Sequence, residues 1–232
     1  MTPEIFVVVA AYNEADRVEE TLAALALAFP GAPIWVADDG STDATPQIAR
    51  AAGARVVRSE RVIGKGAAVT QAAREALREA LVTTDEADDR SIFVLCDGDL
   101  GASARALGAL VDAVRRGEAD VAVAAFSRRV GGGVGLALAF ARWAIRRRCG
   151  LETKAPISGQ RALRARALQD ALPFAHGFGM EIGMTIDVVR AGHRVVEVEL
   201  NLEHRVTGRT LAGFVHRGRQ LMDFVRAYLV RR

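Results

Sequence analysis

The chain has 232 residues, of which 50% are hydrophobic and 25% are charged, and its formal net charge is +3. This composition excludes extensive disorder, and the length allows one full-sized α/β domain or at most two small ones. The sequence contains no run of eighteen apolar residues and begins with no basic region or cleavage site, so we expect a cytoplasmic protein. Cys96 and Cys149 lack metal-ligand spacing and are expected to be reduced thiols.

Strand and helix patterns alternate along the chain, most regularly in its first half. The predicted strands are Ile5–Ala10, Ile34–Ala37, Ala54–Val57, Ser91–Cys96, Asp120–Ala125, Ile157–Leu163 and His193–Leu200. The predicted helices are Asp16–Ala28, Thr45–Ala52, Gly66–Leu81, Leu136–Arg148, Phe178–Arg190 and Leu211–Val230. Alternation with short connections is typical of a parallel sheet flanked by helices. We therefore predict a single α/β domain that covers residues 1–232.

The positive charge is concentrated in the second half of the chain. The arginines there include Arg128, Arg129, Arg142, Arg146, Arg147, Arg148, Arg161, Arg164, Arg166, Arg205, Arg209, Arg217, Arg219, Arg226, Arg231 and Arg232. Such a distribution indicates an anionic partner, such as a phosphorylated acceptor or an anionic membrane surface. Nucleic acid is not expected, because the arginines are not interleaved with aromatic residues and no nucleic-acid motif is present.

Two carboxylates follow the fourth predicted strand, in the segment Cys96-Asp97-Gly98-Asp99-Leu100. Carboxylates this close at the end of a buried strand favour a cation or a strong hydrogen-bond partner that offsets their repulsion. Mg²⁺ or Mn²⁺ would do so, and such ions fill most of their shell with water and phosphate oxygens. The pattern therefore indicates a nucleotide diphosphate site, with a plain Asp-Gly turn as the alternative.

Polar residues also follow the first two predicted strands, in the segments Ala-Tyr-Asn-Glu at 11–14 and Asp-Asp-Gly-Ser-Thr-Asp at 38–43. Because the carboxyl ends of parallel strands form the ligand-binding edge of an open α/β sheet, a nucleoside could lie across these residues. The alternative is that they form turns and cap the helices that follow.

These segments, together with Gly64-Lys65-Gly66, resemble in their order the motifs of family 2 of the glycosyltransferases. The resemblance implies the GT-A fold, which has a Rossmann-like, mostly parallel central sheet flanked by helices. It also implies that residues 1–100 bind the nucleotide and residues 101–232 the acceptor. The contacts it implies are Tyr12, Glu14 and Asp39 with the nucleotide, Lys65 with the base or a phosphate, and Asp97 and Asp99 with the sugar and a diphosphate-bound Mg²⁺ or Mn²⁺.

Two segments downstream resemble the branch of this family that makes dolichyl- or polyprenyl-phosphate sugars. The first is Phe126-Ser127-Arg128-Arg129, which implies that Arg128 contacts the nucleotide sugar. The second spans residues 158–163 and implies that Gln160 or Arg161 lies near the sugar or a phosphate.

The resemblance implies two further site segments, one facing the acceptor and one at the diphosphate. Glu181 occupies the place where this family has an acidic residue at the start of a helix that faces the acceptor, which implies a general base or a sugar-positioning residue. The alternative is a carboxylate favoured by the helix dipole. The segment 203–210 resembles a loop that closes over the diphosphate, with His204 as an additional metal ligand and Arg205 and Arg209 as phosphate clamps. A solvated basic loop is the alternative there.

We therefore expect a metal-dependent glycosyltransferase that moves a sugar from a UDP- or GDP-sugar to a phosphorylated acceptor such as polyprenyl phosphate. Inversion at the anomeric carbon follows from the family resemblance. The sequence leaves open a retaining enzyme that acts on a small phosphorylated acid, a nucleotidyltransferase, and a catalytically silent nucleotide-sugar-binding protein. The basic helices Leu136–Arg148 and Leu211–Arg232 also leave open a peripheral contact with the inner face of a membrane.

Overall fold

The computed structural model describes residues 4–83, 90–126, 136–202 and 222–231. Its strands are β1 Ile5–Ala11, β2 Ile34–Asp38, β3 Arg55–Arg58, β4 Ile92–Asp97, β5 Val121–Phe126, β6 Arg161–Arg164 and β7 Val195–Leu200. Its α-helices are α1 Val18–Ala28, α2 Thr45–Ala51, α3 Lys65–Thr83, α4 Gly108–Arg115, α5 Leu136–Cys149, α6 Ala165–Ala171, α7 Met180–Arg190 and α8 at residues 222–230. Two short 3-10 helices span Gly101–Leu107 and Gly177–Gly179.

The strands form one sheet in the order β3-β2-β1-β4-β6-β5-β7. β6 runs antiparallel to β4 and β5, and the other neighbouring strands are parallel. The register pairs Ala10 with Asp97 and Ala11 with Asp38. The carboxyl ends of β1, β2 and β4 therefore meet at one edge of the sheet, and the predicted α/β fold class is confirmed.

The sheet is covered by helices on both faces because its buried strands are apolar on both sides. Val7, Val9 and Val94 point into a core that also contains residues of α1 and α4. Phe6 and Phe93 point into the opposite core, where their rings stack with centroids 5.0 Å apart. α3, α6 and α7 close this second face. No helix in the described ranges is long and apolar enough to cross a membrane.

The structure differs from the predicted elements in three places. β6 is shorter than the predicted strand Ile157–Leu163, because its pairing with β4 and β5 begins only at Arg161. The helices α4 and α6 were not predicted; both are short, with eight and seven residues. The connection between the parallel strands β4 and β5 was a usable signal for α4, because such crossovers usually contain a helix.

Candidate active site

A cleft of about 1170 Å³ opens at the carboxyl edge of the sheet. Tyr12 and Glu14 enter it after β1, Asp39 enters after β2, and Asp97 and Asp99 enter at the end of β4. This is the edge at which open α/β sheets bind ligands, since loops from several strands converge there. The sequence predicted that these five residues bind donor or metal, and the fold brings them to one cavity.

The loops after β1 and β2 are joined by hydrogen bonds between backbone and side chains. Asn13 adopts a left-handed conformation with a φ of 55°, and its backbone N–H donates to Ser41 Oγ at 2.9 Å. The backbone N–H of Glu14 donates to Thr45 Oγ1 at 2.8 Å. These hydrogen bonds support a turn-forming role for the two segments, but the N-cap residue of neither α1 nor α2 makes a side-chain capping hydrogen bond. Tyr12 remains 47% exposed at the cleft.

The buried carboxylate of Asp39 holds the loop that leads into α3. Its Oδ1 accepts hydrogen bonds from the backbone N–H groups of Ile63 at 2.7 Å and Gly64 at 3.0 Å. The neighbouring Gly40 has a φ of +73°, and a Cβ there would lie 2.6 Å from the carbonyl carbon of Arg61. The loop after β2 and the loop before α3 thus approach closely, and Lys65 lies at the cleft. The expected contact of Asp39 with the nucleotide stays a prediction.

The ammonium group of Lys65 bridges two carboxylates at the floor of the cleft. Its Nζ lies 2.6 Å from Asp97 Oδ1 and 2.8 Å from Glu181 Oε1. Burial alone would lower the pKa of Lys65, but the negative charges of Asp97 and Glu181 outweigh burial and raise that pKa well above its ordinary value. The sequence carried no signal for this bridge, because Lys65 and Glu181 are 116 residues apart.

Gln160 holds the other oxygen of Asp97. Its Nε2 donates to Asp97 Oδ2 at 2.7 Å, and its Oε1 accepts from Ser158 Oγ at 3.2 Å. A Cβ at Gly159 would lie 2.8 Å from Lys65 Nζ and 3.0 Å from Asp97 Oδ2, so this position admits only glycine without a shift of the bridge. The two residues that the sequence left open are both 1% exposed. Gln160 bonds the Asp97 carboxylate at the cleft, whereas Arg161 bonds uncharged oxygens of Ser158, Thr185 and Glu181.

Asp99 carries a buried carboxylate oxygen at the cleft. Its Oδ1 is buried and has no hydrogen-bond partner among the residues that the structure describes. A buried carboxylate oxygen without a partner is costly, and a hard cation would satisfy it. Within the described ranges, no three or more His, Cys, Asp and Glu side chains are grouped to hold a metal ion. A Mg²⁺ or Mn²⁺ ion fits Asp99 nevertheless, since such ions commonly take few protein ligands and share phosphate oxygens.

Glu181 contacts the cleft residue Lys65, and Asp223 lines the cleft itself. Glu181 lies in the first turn of α7 and is only 5% exposed, which agrees with both the dipole and the sugar-positioning interpretations. Asp223, at the start of α8, lines the cleft and accepts a hydrogen bond from the backbone N–H of Phe178 at 3.0 Å. Sequence reasoning missed Asp223 because no motif surrounds it. His176 also lines the cleft and was not assigned a role.

Four predicted site residues lie outside the part of the chain that the structure describes. They are Arg128, His204, Arg205 and Arg209. Their expected roles as phosphate contacts and, for His204, as a metal ligand remain predictions.

Comparison with known proteins agrees with the motifs and the fold. The model of the family described as "Glycosyl transferase family 2" matches residues 6–179. An undecaprenyl-phosphate mannosyltransferase of Micrococcus luteus is 30% identical over 223 residues, which cover 89% of this chain and 86% of the relative. A dolichyl-phosphate hexose transferase of Haloferax volcanii is 40% identical over 82 residues, or 35% of this chain and 36% of the relative. Both names fit the predicted polyprenyl-phosphate branch.

Solved structures of glucosyl-3-phosphoglycerate synthase from Mycobacterium tuberculosis have the same fold. The complex with Mn²⁺, UDP and phosphoglyceric acid is 29% identical, with a TM-score of 0.70 over 99% of this chain and 78% of that chain. The complex with Mn²⁺, UDP-glucose and phosphoglyceric acid is also 29% identical, with a TM-score of 0.69 over 99% of this chain and 79% of that chain. The sequence motifs, the sheet and these matches together show that the chain belongs to glycosyl transferase family 2.

Proposed function

We propose that the protein is a metal-dependent glycosyltransferase that moves a sugar from a UDP- or GDP-sugar to a phosphorylated acceptor. The observation that carries this proposal is the pair of carboxylates at the end of β4. Asp97 is held by Lys65 and Gln160, while Asp99 presents a buried oxygen without a partner among the described residues. A sugar diphosphate with a divalent ion matches this arrangement, because it brings hydroxyl groups for the first carboxylate and a cation for the second.

Each region of the cleft has a part in donor binding under this proposal. Asp99 holds Mg²⁺ or Mn²⁺, with His204 as a further ligand, and the bound ion supplies positive charge that stabilises the leaving diphosphate. The residues at the nucleotide are Tyr12, Glu14 and Asp39, and those at the sugar are Lys65, Asp97, Gln160 and Glu181. Arg128, Arg205 and Arg209 are the proposed phosphate contacts. Solved structures of the tuberculosis synthase with Mn²⁺ and UDP-glucose support a divalent ion and a UDP-linked donor.

A polyprenyl phosphate is the preferred acceptor, supported by the relative from Micrococcus luteus that matches 89% of this chain. A phosphate oxygen is already anionic and needs no general base, so an attack on the anomeric carbon with inversion requires no proton transfer to Glu181. In agreement with this, Glu181 is paired with Lys65 and serves to position the sugar. The second candidate acceptor is a small phosphorylated acid, because the tuberculosis synthase was crystallised with phosphoglyceric acid.

A peripheral contact of a cytoplasmic protein with an anionic membrane fits a lipid-linked acceptor. On α5, Trp143 is 50% exposed and lies beside the exposed arginines Arg146 and Arg147. On α8, Met222 is 72% exposed and Leu229 is 47% exposed. Exposed apolar side chains on helices that also carry exposed arginines are typical of helices that bind the membrane interface.

The reaction itself tests the proposal. UDP-glucose and GDP-mannose are each incubated with Mn²⁺ and with undecaprenyl phosphate, dolichyl phosphate or 3-phosphoglycerate, and products are identified by mass spectrometry. We expect a glycosylated lipid phosphate, release of the nucleoside diphosphate, and an inverted anomeric configuration by NMR coupling. A product from 3-phosphoglycerate alone would favour the second acceptor. Pyrophosphate release from a nucleoside triphosphate, or binding without turnover, would contradict the transferase proposal.

A further inference from the structure

Arg161, the first residue of β6, carries a guanidinium group buried deep in the protein. The residue is 1% exposed and is among the largest fully buried side chains. Arginine is rarely buried to this extent unless it is paired with a carboxylate. The hydrogen bonds of Arg161 in the structure, however, go to uncharged oxygens. Its Nε donates to Ser158 O at 2.9 Å, Nη1 to Thr185 Oγ1 at 2.9 Å, and Nη2 to Glu181 O at 3.0 Å.

These hydrogen bonds join the segment before β6 to the first turns of α7. Thr185 Oγ1 also donates to the carbonyl oxygen of Glu181 at 2.9 Å, so Arg161, Thr185 and Glu181 form a closed ring of hydrogen bonds. The Glu181 backbone is thereby fixed from inside the protein. Its side chain contacts Lys65, which lines the cleft, with Oε1 2.8 Å from Lys65 Nζ. The position of that carboxylate therefore depends on Arg161.

The charge of Arg161 also balances the cluster at the floor of the cleft. Lys65 alone faces the two carboxylates of Asp97 and Glu181, which leaves one negative charge in excess. Burial lowers the pKa of Arg161 to about 10, while the negative charges of Glu181 and Glu197 limit this fall. Arg161 thus remains cationic at neutral pH, and its charge acts strongly because the surrounding medium has a low dielectric constant.

A buried cation without a hydrogen-bonded carboxylate costs stability, and an apolar side chain of similar volume is often at least as stable. We propose that Arg161 is a positioning residue that fixes Glu181 and offsets its charge, and so sets the affinity for the sugar half of the donor. This inference rests on the proposed function, since it requires a sugar to lie against Lys65, Asp97 and Glu181. Arg161 itself does not line the cleft.

The effect of the sugar can be separated from that of the nucleotide by calorimetry. Dissociation constants are measured with Mn²⁺ for the nucleoside diphosphate and for its sugar conjugate, using UDP with UDP-glucose and GDP with GDP-mannose. The dissociation constant of the nucleoside diphosphate divided by that of its sugar conjugate reports the contribution of the sugar to affinity. In Arg161→Met, we expect this ratio to fall about tenfold while the affinity for the nucleoside diphosphate stays within about twofold. Arg161→Lys, which keeps the charge, should restore part of the ratio.

A second comparison distinguishes positioning of Glu181 from a general loss of structure. If Arg161 acts through Glu181, Arg161→Met should change the ratio little in a Glu181→Gln background, so that the two effects are not additive. Thr185→Val removes one member of the ring and keeps the charge, and it should lower the ratio by a smaller factor. It also provides the test if Arg161→Met does not fold.

Three results would overturn the inference: an unchanged ratio in Arg161→Met, an equal loss of affinity for both ligands, or full additivity with Glu181→Gln. If Arg161→Met does not fold, an unchanged ratio in Thr185→Val overturns it. Failure of the proposed function gives a different result, because the wild-type protein would then bind neither UDP nor GDP.

Discussion

Asp97 and Asp99 are two residues apart at the end of β4, yet their carboxylates have opposite environments. Both oxygens of Asp97 are engaged, one by Lys65 at 2.6 Å and the other by Gln160 at 2.7 Å. Asp99 Oδ1 is buried and lacks a hydrogen-bond partner in the described part of the chain. We therefore assign the two carboxylates different tasks in the proposed reaction, with Asp97 near the sugar and Asp99 at the metal.

Lys65 and Lys154 are the only lysines in the sequence, which makes the ammonium of Lys65 observable by NMR. The carboxylates raise the pKa of Lys65 above its ordinary value of 10.5. The ion pairs therefore contribute their full stability below pH 10.5, and this contribution is lost only as the pH rises through the higher folded-state pKa. In protein labelled with ¹⁵N-lysine, we expect the Lys65 signal to remain that of an ammonium at pH 10.5. Titration of this signal at or below pH 10.5 would contradict the bridge.

Removal of the bridging charge should reduce both stability and activity. In Lys65→Met, Asp97 and Glu181 face each other without a cation, and we expect the free energy of unfolding to fall by about 2 kcal/mol. Transferase activity should fall at least about a hundredfold. Lys154→Met is the matched control, because the Lys154 side chain is 81% exposed, and it should change stability by less than about 0.5 kcal/mol. Urea denaturation and initial rates measure both effects, and equal behaviour of the two variants would refute the role of Lys65.

Gly177 allows α8 to approach the cleft. Its φ is +56°, and a Cβ there would lie 2.1 Å from Asp223 Oδ2. Gly177→Ala should therefore add a steric cost of about 1–3 kcal/mol to the cost of the left-handed backbone. Gly117→Ala is the control, because Gly117 has a φ of +72° and open space around it, and it should cost only about 1–2 kcal/mol. Equal losses in urea denaturation would show that Asp223 does not pack against Gly177.

The two cysteines should react slowly in the folded protein. Burial raises the pKa of the Cys96 thiol, and burial also raises that of Cys149 although a backbone hydrogen bond from Leu151 and the charge of Arg190 oppose it. Because the thiolate is the reactive form, neither cysteine should react with Ellman's reagent at pH 8 at the rate of a free thiol. In denaturant both should react. A rapid reaction of one thiol in the native protein would contradict the buried position of Cys96 or the raised pKa of the partly buried Cys149.

The sequence predicted the part of the site that depends on short motifs at strand ends. Asp39, Asp97 and Asp99 each lie at the end of an apolar strand or within two residues of it. Parallel strands bring such residues to one edge whatever their separation along the chain. The contacts of Lys65 with Glu181 and of Asp223 with Phe178 were not predictable in this way. They depend on how α3, α7 and α8 pack, and no local pattern records that packing.

The predicted boundaries failed where tertiary contacts decide the conformation. Residues 157–160 have the apolar and polar composition of a strand end, but Gln160 is turned toward Asp97 and Gly159 packs against the lysine bridge. The hydrogen-bonded pairing of β6 with β4 therefore begins at Arg161. Arginine is normally expected at a surface or a ligand, so its sequence context gave no indication that Arg161 is buried.

The most direct test is metal-dependent donor binding by the wild-type protein and by Asp99→Asn. Thermal unfolding is measured with UDP-, GDP- and dTDP-sugars, each with and without Mn²⁺. A ligand at a hundred times its Kd adds about 2.7 kcal/mol of stability, which gives a clear shift in Tm. We expect one nucleotide class to stabilise the wild-type protein only with Mn²⁺, and Asp99→Asn to fold but lose this shift. No shift with any nucleotide sugar, or an equal shift in Asp99→Asn, would contradict a donor site built on Asp99.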